Sequence, residues 1–240
     1  MIVCLFVFAG SLVVVGCERF FERETDIAAA TCDKDKFFSG LGSFIVDAGL
    51  TGASSAPPSS GQEFKLSVEG RLIDAYHKDP ASIEAVYYQL CTAQKGFYKT
   101  LGINNIIGCI NTIGLIGLDF LAEDAYLYEQ VLSSLNYQCG PTFRVFISNI
   151  NSLGLVITNN SVDIMNCLAT FDAATTAAQN DADTCNALDA YAYCYGKLFF
   201  AQSKQQDFGY ANCQKELIGM LPRFGQCYSP NYECDLSKFV

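Results

Sequence analysis

Apolar residues recur along most of this chain at intervals of three and four, which is the period of one face of an α-helix. The first such stripe follows Asp79-Pro80, a pair suited to the cap and first turn of a helix. Its members are Ile83, Val86, Tyr87, Leu90 and Cys91. A second stripe has helical spacing and consists of Leu121, Ala125, Tyr128, Leu132 and Leu135. Both stretches are predicted to be amphipathic helices.

Helical patterns also fill much of the remaining chain. Apolar residues that align after Gly140-Pro141 predict a helix ending near Gly154. Another stripe comprises Leu188, Tyr191, Tyr195 and Leu198. Weaker helical signals cover 33–47, 64–78, 103–118, 162–178 and 209–220. The best candidate for a short extended segment is Leu155-Val156-Ile157, and no stretch alternates convincingly over the length of a strand. The chain is therefore predicted to be an all-α bundle of about seven or eight helices.

The N-terminal block, residues 1–17, is uncharged and strongly apolar. It has about the length of the apolar core of a secretory signal and is too short for a comfortable membrane span. Cleavage near Cys17 is predicted, although no basic residue precedes the apolar block. The alternative is a bacterial lipoprotein signal, in which Cys17 would carry the lipid. A secreted, extracellular protein without a membrane span is expected from the first interpretation.

Ten cysteines follow the predicted signal peptide: Cys32, Cys91, Cys109, Cys139, Cys167, Cys185, Cys194, Cys213, Cys227 and Cys234. An even number in an oxidising compartment predicts five disulfides, whose pairing the sequence leaves open. A zinc ribbon needs close Cys-x-x-Cys pairs, and none is present. The bundle is therefore expected to be stapled by disulfides.

A Gly/Ser/Pro-rich stretch without charge, residues 49–62, is predicted to be a long exposed linker. It separates an N-terminal helical segment, 18–48, from a main body, 63–240. The first segment holds only Cys32 and the body holds an odd number of cysteines, so Cys32 is expected to pair across the linker. We therefore predict one domain over 18–240.

Two further patterns concern cysteine positions. Cys185 and Cys194 lie in one helical stretch and point to roughly opposite faces, so they should bond to different neighbours and make 184–200 a central helix. The spacing of Cys91, Cys109 and Cys139 is nearly repeated by Cys167, Cys185 and Cys213. Two stacked copies of a helical unit are a hypothesis that would explain this repeat.

The chain carries 25 acidic and 15 basic residues, which gives a formal charge of −10. This balance argues against a nucleic-acid partner and suits basic proteins, matrix components or mineral ions. Half of the residues are hydrophobic, which excludes intrinsic disorder.

Candidate chemical groups are few. His77 is the only histidine, and it is interpreted as a solvated cation at a helix C-terminus rather than as a general base. Asp33-x-Asp35 and Asp181-x-Asp183 lack the later residues of a calcium loop and are interpreted as acidic helix starts. No catalytic, cofactor-binding or metal-binding residue is assigned. Asn159, in the sequence Asn159-Asn160-Ser161, is a predicted glycosylation site.

The function most consistent with these observations is non-enzymatic: an extracellular interaction or structural component. This role predicts a filled core. The alternative is a carrier of a lipid or another small hydrophobic ligand held between helices, which predicts an apolar cavity of roughly a few hundred Å³. Aromatic residues crowd the segment from Tyr191 to Phe200, and the stretch 103–118 is strongly apolar, so both are candidates for core or for cavity wall.

Overall fold

The computed structural model describes residues 32–50, 60–228 and 233–239, together with the backbone of two short strands near the N-terminus. Ten α-helices dominate the described chain, and eight of them have ten residues or more. In order they are α1 Lys34–Asp47, α2 Gly61–Lys78, α3 Ser82–Cys109, α4 Thr112–Gly117, α5 Ala122–Cys139, α6 Phe143–Ser148, α7 Ile150–Asn159, α8 Ser161–Ala177, α9 Asp181–Ser203 and α10 Gln206–Met220. The prediction of an all-α bundle is confirmed.

The two strands, β1 Leu5–Phe8 and β2 Ser11–Val14, pair antiparallel in a short hairpin. They lie in the segment predicted to be a signal peptide, and their pairing does not test that prediction. Apart from this hairpin, the described residues contain no strand. Two 3₁₀ turns, Gly225–Cys227 and Leu236–Lys238, follow α10.

The interpretation of Leu155-Val156-Ile157 as extended was wrong, because these residues lie inside α7. Gly154 does not end a helix either. A Cβ atom at this position would overlap Cδ2 of Tyr76 on α2, so glycine permits the two helices to approach closely. Leu153 and Val156 are buried on the same face of α7. The helical spacing of the apolar residues was therefore the correct guide to this segment. Gly154 marks a close contact between α7 and α2 and not the end of a helix.

Two other boundaries differ from the predictions. The stretch 103–118 is not one helix: α3 ends at Cys109, and Asn111 caps the short α4 by accepting a hydrogen bond from the backbone N–H of Gly114. Within α3, Gly102 has a φ of 70°, which bends the helix. Leu121 precedes α5 and is 74% exposed, so it does not share the buried face of its predicted stripe.

Five disulfides staple the helices: Cys32–Cys109, Cys91–Cys139, Cys167–Cys194, Cys185–Cys227 and Cys213–Cys234. Cys32 pairs across the predicted linker, as expected. Residues 51–59 of that stretch lie outside the described residues, and its last two residues, Gly61 and Gln62, belong to α2 instead. Cys185 and Cys194 bond to different neighbours from the single helix α9, which agrees with its predicted central place.

The repeated cysteine spacing does not correspond to a repeated disulfide pattern. Cys91 and Cys139 bond to each other, whereas Cys167 and Cys213, their counterparts in the second set, have different partners. Buried side chains nevertheless form two clusters. One lies mainly among α1–α7, the other among α8, α9, α10 and the C-terminal segment, and α9 and α10 contribute to both.

A Gly154→Ala variant is expected to lose about 1–3 kcal/mol of unfolding free energy, because the added methyl group would overlap the Tyr76 ring. Urea denaturation without reductant measures this loss. Gly70→Ala in α2 is the matched control, since nothing lies within 4 Å of a Cβ atom there. The control is expected to gain about 0.5–1 kcal/mol from its lower backbone entropy when unfolded. Equal effects of the two changes would contradict the contact described here.

Candidate functional site

A cavity of about 550 Å³ lies between α2 and the C-terminal helices. Helix α2 packs against α3, α5 and α7, and α10 packs against α5 and α9. Among the described helices, α2 has no extensive contact with α8, α9 or α10, so the space between them stays open. The filled core expected of a structural protein is therefore absent at this place. The volume lies within the range of roughly 300–1,000 Å³ that is typical of small-molecule sites.

Most of the cavity wall is apolar. Aliphatic side chains from five helices contribute, among them Val68, Leu72, Leu90, Leu135, Leu153, Ile157 and Leu168. An apolar space of this kind favours an apolar occupant, because water inside it gains few hydrogen bonds.

The cavity wall also contains a polar network built around adjacent residues of α10, Lys215 and Glu216. Lys215 Nζ lies 2.9 Å from Glu216 Oε1, and the two side chains are only 12% and 11% exposed. Lys215 also donates to the hydroxyl of Tyr195 at 3.2 Å. The hydroxyl of Tyr191 donates to Glu216 Oε2 at 2.9 Å. Both tyrosines lie on α9, so two helices hold this network in place.

The pKa shifts in this network follow from its geometry. Burial favours a lower pKa for Lys215, but Glu216 and Tyr195 outweigh burial and raise that pKa. Burial likewise favours a higher pKa for Glu216, but the neighbouring Lys215 outweighs it and lowers that pKa. Burial raises the pKa of Tyr195 to about 12. At neutral pH the network is therefore a charged pair with two neutral tyrosines.

Glu69 on α2 also lines the cavity, in the wall provided by that helix. It has no hydrogen bond and no ion pair with any residue in the described part of the chain. Its side chain is exposed at the cavity wall, so solvent hydrates the carboxylate and no partner inside the protein is required.

The cavity is accessible from outside beside α2 and α8. Leu66 and Met165 line it, yet they are 56% and 60% exposed. Large apolar side chains with this much accessible surface are suited to the entrance of an apolar site. Ser161, the first residue of α8, lines the same cavity.

The residues singled out from the sequence lie mostly elsewhere. His77 is exposed in the last turn of α2, where a cation is favoured. Asp33 caps α1, and Asp181 and Asp183 lie in the first turn of α9. Asn159 is exposed as the last residue of α7, with only Asn160 between α7 and α8, and its glycosylation stays a prediction.

Of the crowded aromatic residues, Tyr191 and Tyr195 line the cavity, whereas Phe199 is buried in the larger core cluster. The stretch 103–118 contributes no residue to this cavity, whereas its Ile106 and Ile110 line a separate, smaller pocket of about 320 Å³. Glu69, Lys215 and Glu216 are not among the residues singled out from the sequence. The sequence did offer one signal for the last two: they directly precede Leu217, an apolar residue on the buried side of α10.

Among the described helices, none combines the length and the hydrophobicity that a membrane span requires. Within the described residues, no group of three or more His, Cys, Asp or Glu side chains is placed to hold a metal ion. Comparison with known proteins gives no match: no family model, no curated protein and no solved structure is detectably similar to the chain. The five disulfides fit an extracellular protein.

Proposed function

We propose that the protein is a secreted, non-enzymatic carrier that binds a small amphipathic molecule in the cavity between α2 and α8–α10. The observation that carries the proposal is the unfilled, mostly apolar space with a buried polar network in its wall. The apolar wall accommodates the body of a ligand and the polar network accommodates its head group. Five disulfides support such a role outside the cell, because they stabilise a fold that also contains an unfilled space.

A second candidate is an extracellular interaction component, which the exposed isoleucines near the end of α3 favour. Ile103, Ile107, Ile113 and Ile116 are exposed in this region. Apolar side chains gathered on a surface are typical of a contact with another molecule. The acidic charge of −10 would direct such contacts towards basic proteins, matrix or mineral. The cavity supports the carrier role more specifically, since it defines the size and polarity of the ligand.

The carrier proposal is tested with N-phenyl-1-naphthylamine, a dye that is neutral at pH 7 and fluoresces strongly in apolar surroundings. We expect one dye to bind per protein. In a Leu168→Trp variant, the indole would occupy part of the cavity, and affinity should fall by about tenfold or more. Because the natural chain has no Trp, the same variant reports on binding through its own emission.

Leu121→Trp is the matched control, because Leu121 is exposed and does not line the cavity. It should bind the dye as the wild type does. Thermal unfolding of both variants checks that the fold is kept. A wild-type protein that does not bind the dye, or a folded Leu168→Trp variant with unchanged affinity, would overturn the proposal.

A further inference from the structure

We propose that the cavity selects a neutral ligand, whose head group contains an oxygen atom that accepts a hydrogen bond from the hydroxyl of Tyr195. The inference rests on the carrier function proposed above and adds the charge and the hydrogen-bonding character of the ligand. Its basis is twofold. The charged side chains of the cavity wall compensate one another, and the Tyr195 hydroxyl has a proton without an acceptor among the described residues.

Charges in the cavity wall occur as two pairs of opposite sign. On α10, Lys215 and Glu216 are in contact at 2.9 Å, and both are largely buried. On α2, Lys65 and Glu69 lie one helical turn apart, and both are accessible to solvent. Within the described part of the chain, the wall contains no other acidic or basic residue. The wall is therefore balanced in charge and offers neither a cation nor an anion an excess of the opposite sign.

The remaining polar groups of the wall are uncharged. Gln130, Ser134 and Gln138 follow one another at four-residue spacing along α5 and line the cavity. An ionic head group that enters this space loses hydration, and a wall of balanced charge does not replace it. A neutral head group loses much less hydration and can bond to amides and hydroxyls. The composition of the wall thus favours an uncharged amphiphile.

Tyr195 indicates which neutral head groups the cavity suits. This residue is 9% exposed, and its oxygen accepts a hydrogen bond from Lys215 Nζ at 3.2 Å. Burial raises the pKa of Tyr195 to about 12, so the hydroxyl keeps its proton at neutral pH. No described residue accepts that proton, and the carboxylate of Glu216 is bonded to Lys215 and Tyr191 instead. A buried donor in this state is stabilised by an acceptor oxygen on a ligand.

The neighbouring ammonium group also strengthens this donor. A hydroxyl that accepts a hydrogen bond from a cation becomes a better donor, because the charge polarises its O–H bond. The other two tyrosines of the wall already use their protons. The hydroxyl of Tyr191 donates to Glu216, and that of Tyr87 donates to the carbonyl of Gln138 at 3.1 Å. Among the lining tyrosines of the described structure, Tyr195 is thus the one that keeps a donor for the ligand.

The experiment compares 2-decanone, decylamine and decanoate, whose head groups are a neutral acceptor, a cation and an anion on chains of similar length. Calorimetry measures their affinities at pH 7, below the concentrations at which they form micelles. We expect the wild type to bind 2-decanone about tenfold or more tightly than either ion. Tighter binding of decylamine or of decanoate would overturn the inference.

Tyr195→Phe tests the hydrogen bond while it keeps the aromatic ring. Affinity for 2-decanone should fall about five- to tenfold, because only the donor is lost. The dye N-phenyl-1-naphthylamine contains no oxygen, so the same variant should bind it as the wild type does. Tyr87→Phe is the matched control, since the hydroxyl that it removes already has an acceptor. This control should bind both the ketone and the dye with unchanged affinity.

A spectroscopic readout separates a direct hydrogen bond from a structural role of Tyr195. The infrared C=O stretch of a ketone moves to lower frequency when its oxygen accepts a hydrogen bond. A difference spectrum between 2-decanone and its form labelled at the carbonyl carbon isolates this stretch from the protein amide bands. The stretch of the bound ketone should lie at lower frequency in the wild type than in Tyr195→Phe, and Tyr87→Phe should match the wild type.

The remaining outcomes distinguish the inference from the carrier function. Unchanged affinity for 2-decanone in Tyr195→Phe, or an equal loss in Tyr87→Phe, contradicts the inference. An identical carbonyl frequency in the wild type and Tyr195→Phe does so as well. If the dye binds and none of the three probes does, the inference fails and the carrier function stands. If neither the dye nor any probe binds, the carrier function itself fails.

Discussion

A Lys215→Met variant is expected to unfold with about 3–5 kcal/mol less free energy than the wild type at neutral pH, because it leaves the carboxylate of Glu216 buried without its partner. Urea denaturation, followed by circular dichroism under non-reducing conditions, measures the difference. Two further variants test whether the buried charge causes this loss of stability. The double variant Lys215→Met, Glu216→Leu should recover most of the loss, since no charge then stays buried. Arg223→Met, which breaks an exposed pair with Glu123, should cost about 1 kcal/mol or less.

The same pair gives a pH dependence of known sign. The pKa of Glu216 is lowered in the folded protein, so its contribution to stability is present above the usual glutamate pKa and is lost as the pH falls through the folded value. Without Lys215 the pKa of Glu216 rises, and the carboxyl group becomes neutral at a higher pH. The stability difference between wild type and Lys215→Met should therefore shrink on acidification. A difference that stays constant from neutral to acidic pH would contradict the buried ion pair.

Removal of the Cys32–Cys109 disulfide, by alanine at both positions, is expected to cost about 4 kcal/mol. This bond joins residues 77 apart in sequence and spans the linker. In the unfolded chain it restricts a longer loop than Cys213–Cys234 does, where the separation is 21. Replacement of the second pair should therefore cost about 1 kcal/mol less.

Hydrogen exchange locates the effect of the Cys32–Cys109 change. Helix α1 follows Cys32 directly and packs on α3, with Phe37, Leu41 and Phe44 buried. Its amide protons should exchange faster in the variant, while those of α9, which two other disulfides hold, should keep their rates relative to global unfolding. Uniform acceleration in both helices would show that the disulfide acts only through the unfolded chain.

Local patterns were sufficient to predict most helices. The face formed by Ile83, Val86, Tyr87, Leu90 and Cys91 is buried as expected. The helix starts at Asp33 and Asp181 also agree, because a cap and its first turn involve neighbouring residues. Gly154 failed as a stop signal, since its role depends on Tyr76, a residue of another helix. The pairing of Cys32 followed from the parity of the cysteines, whereas the other four pairings depend on which helices pack together.

The cavity could not be predicted in the same way. It arises because α2 packs on α3, α5 and α7 but not on α8–α10, and no periodicity within a helix encodes that absence of contact. Glu69 and Lys215 have ordinary sequence neighbours, and their positions in the cavity wall result from the angles between helices. Crowded tyrosines were a usable signal, and two of them, Tyr191 and Tyr195, do line the cavity.

The disulfides cross-link the helices in two separate groups. Cys32–Cys109 and Cys91–Cys139 connect only residues up to the end of α5, and the other three bonds connect only residues from α8 onward. Helices of both groups line the cavity. Non-covalent packing, such as that of α5 on α10, holds the two groups together. Among the described residues, no disulfide joins one group to the other, so the covalent cross-links leave this interface to non-covalent packing alone. For the carrier proposed above, the stability of each group and the opening of the cavity would therefore depend on different interactions.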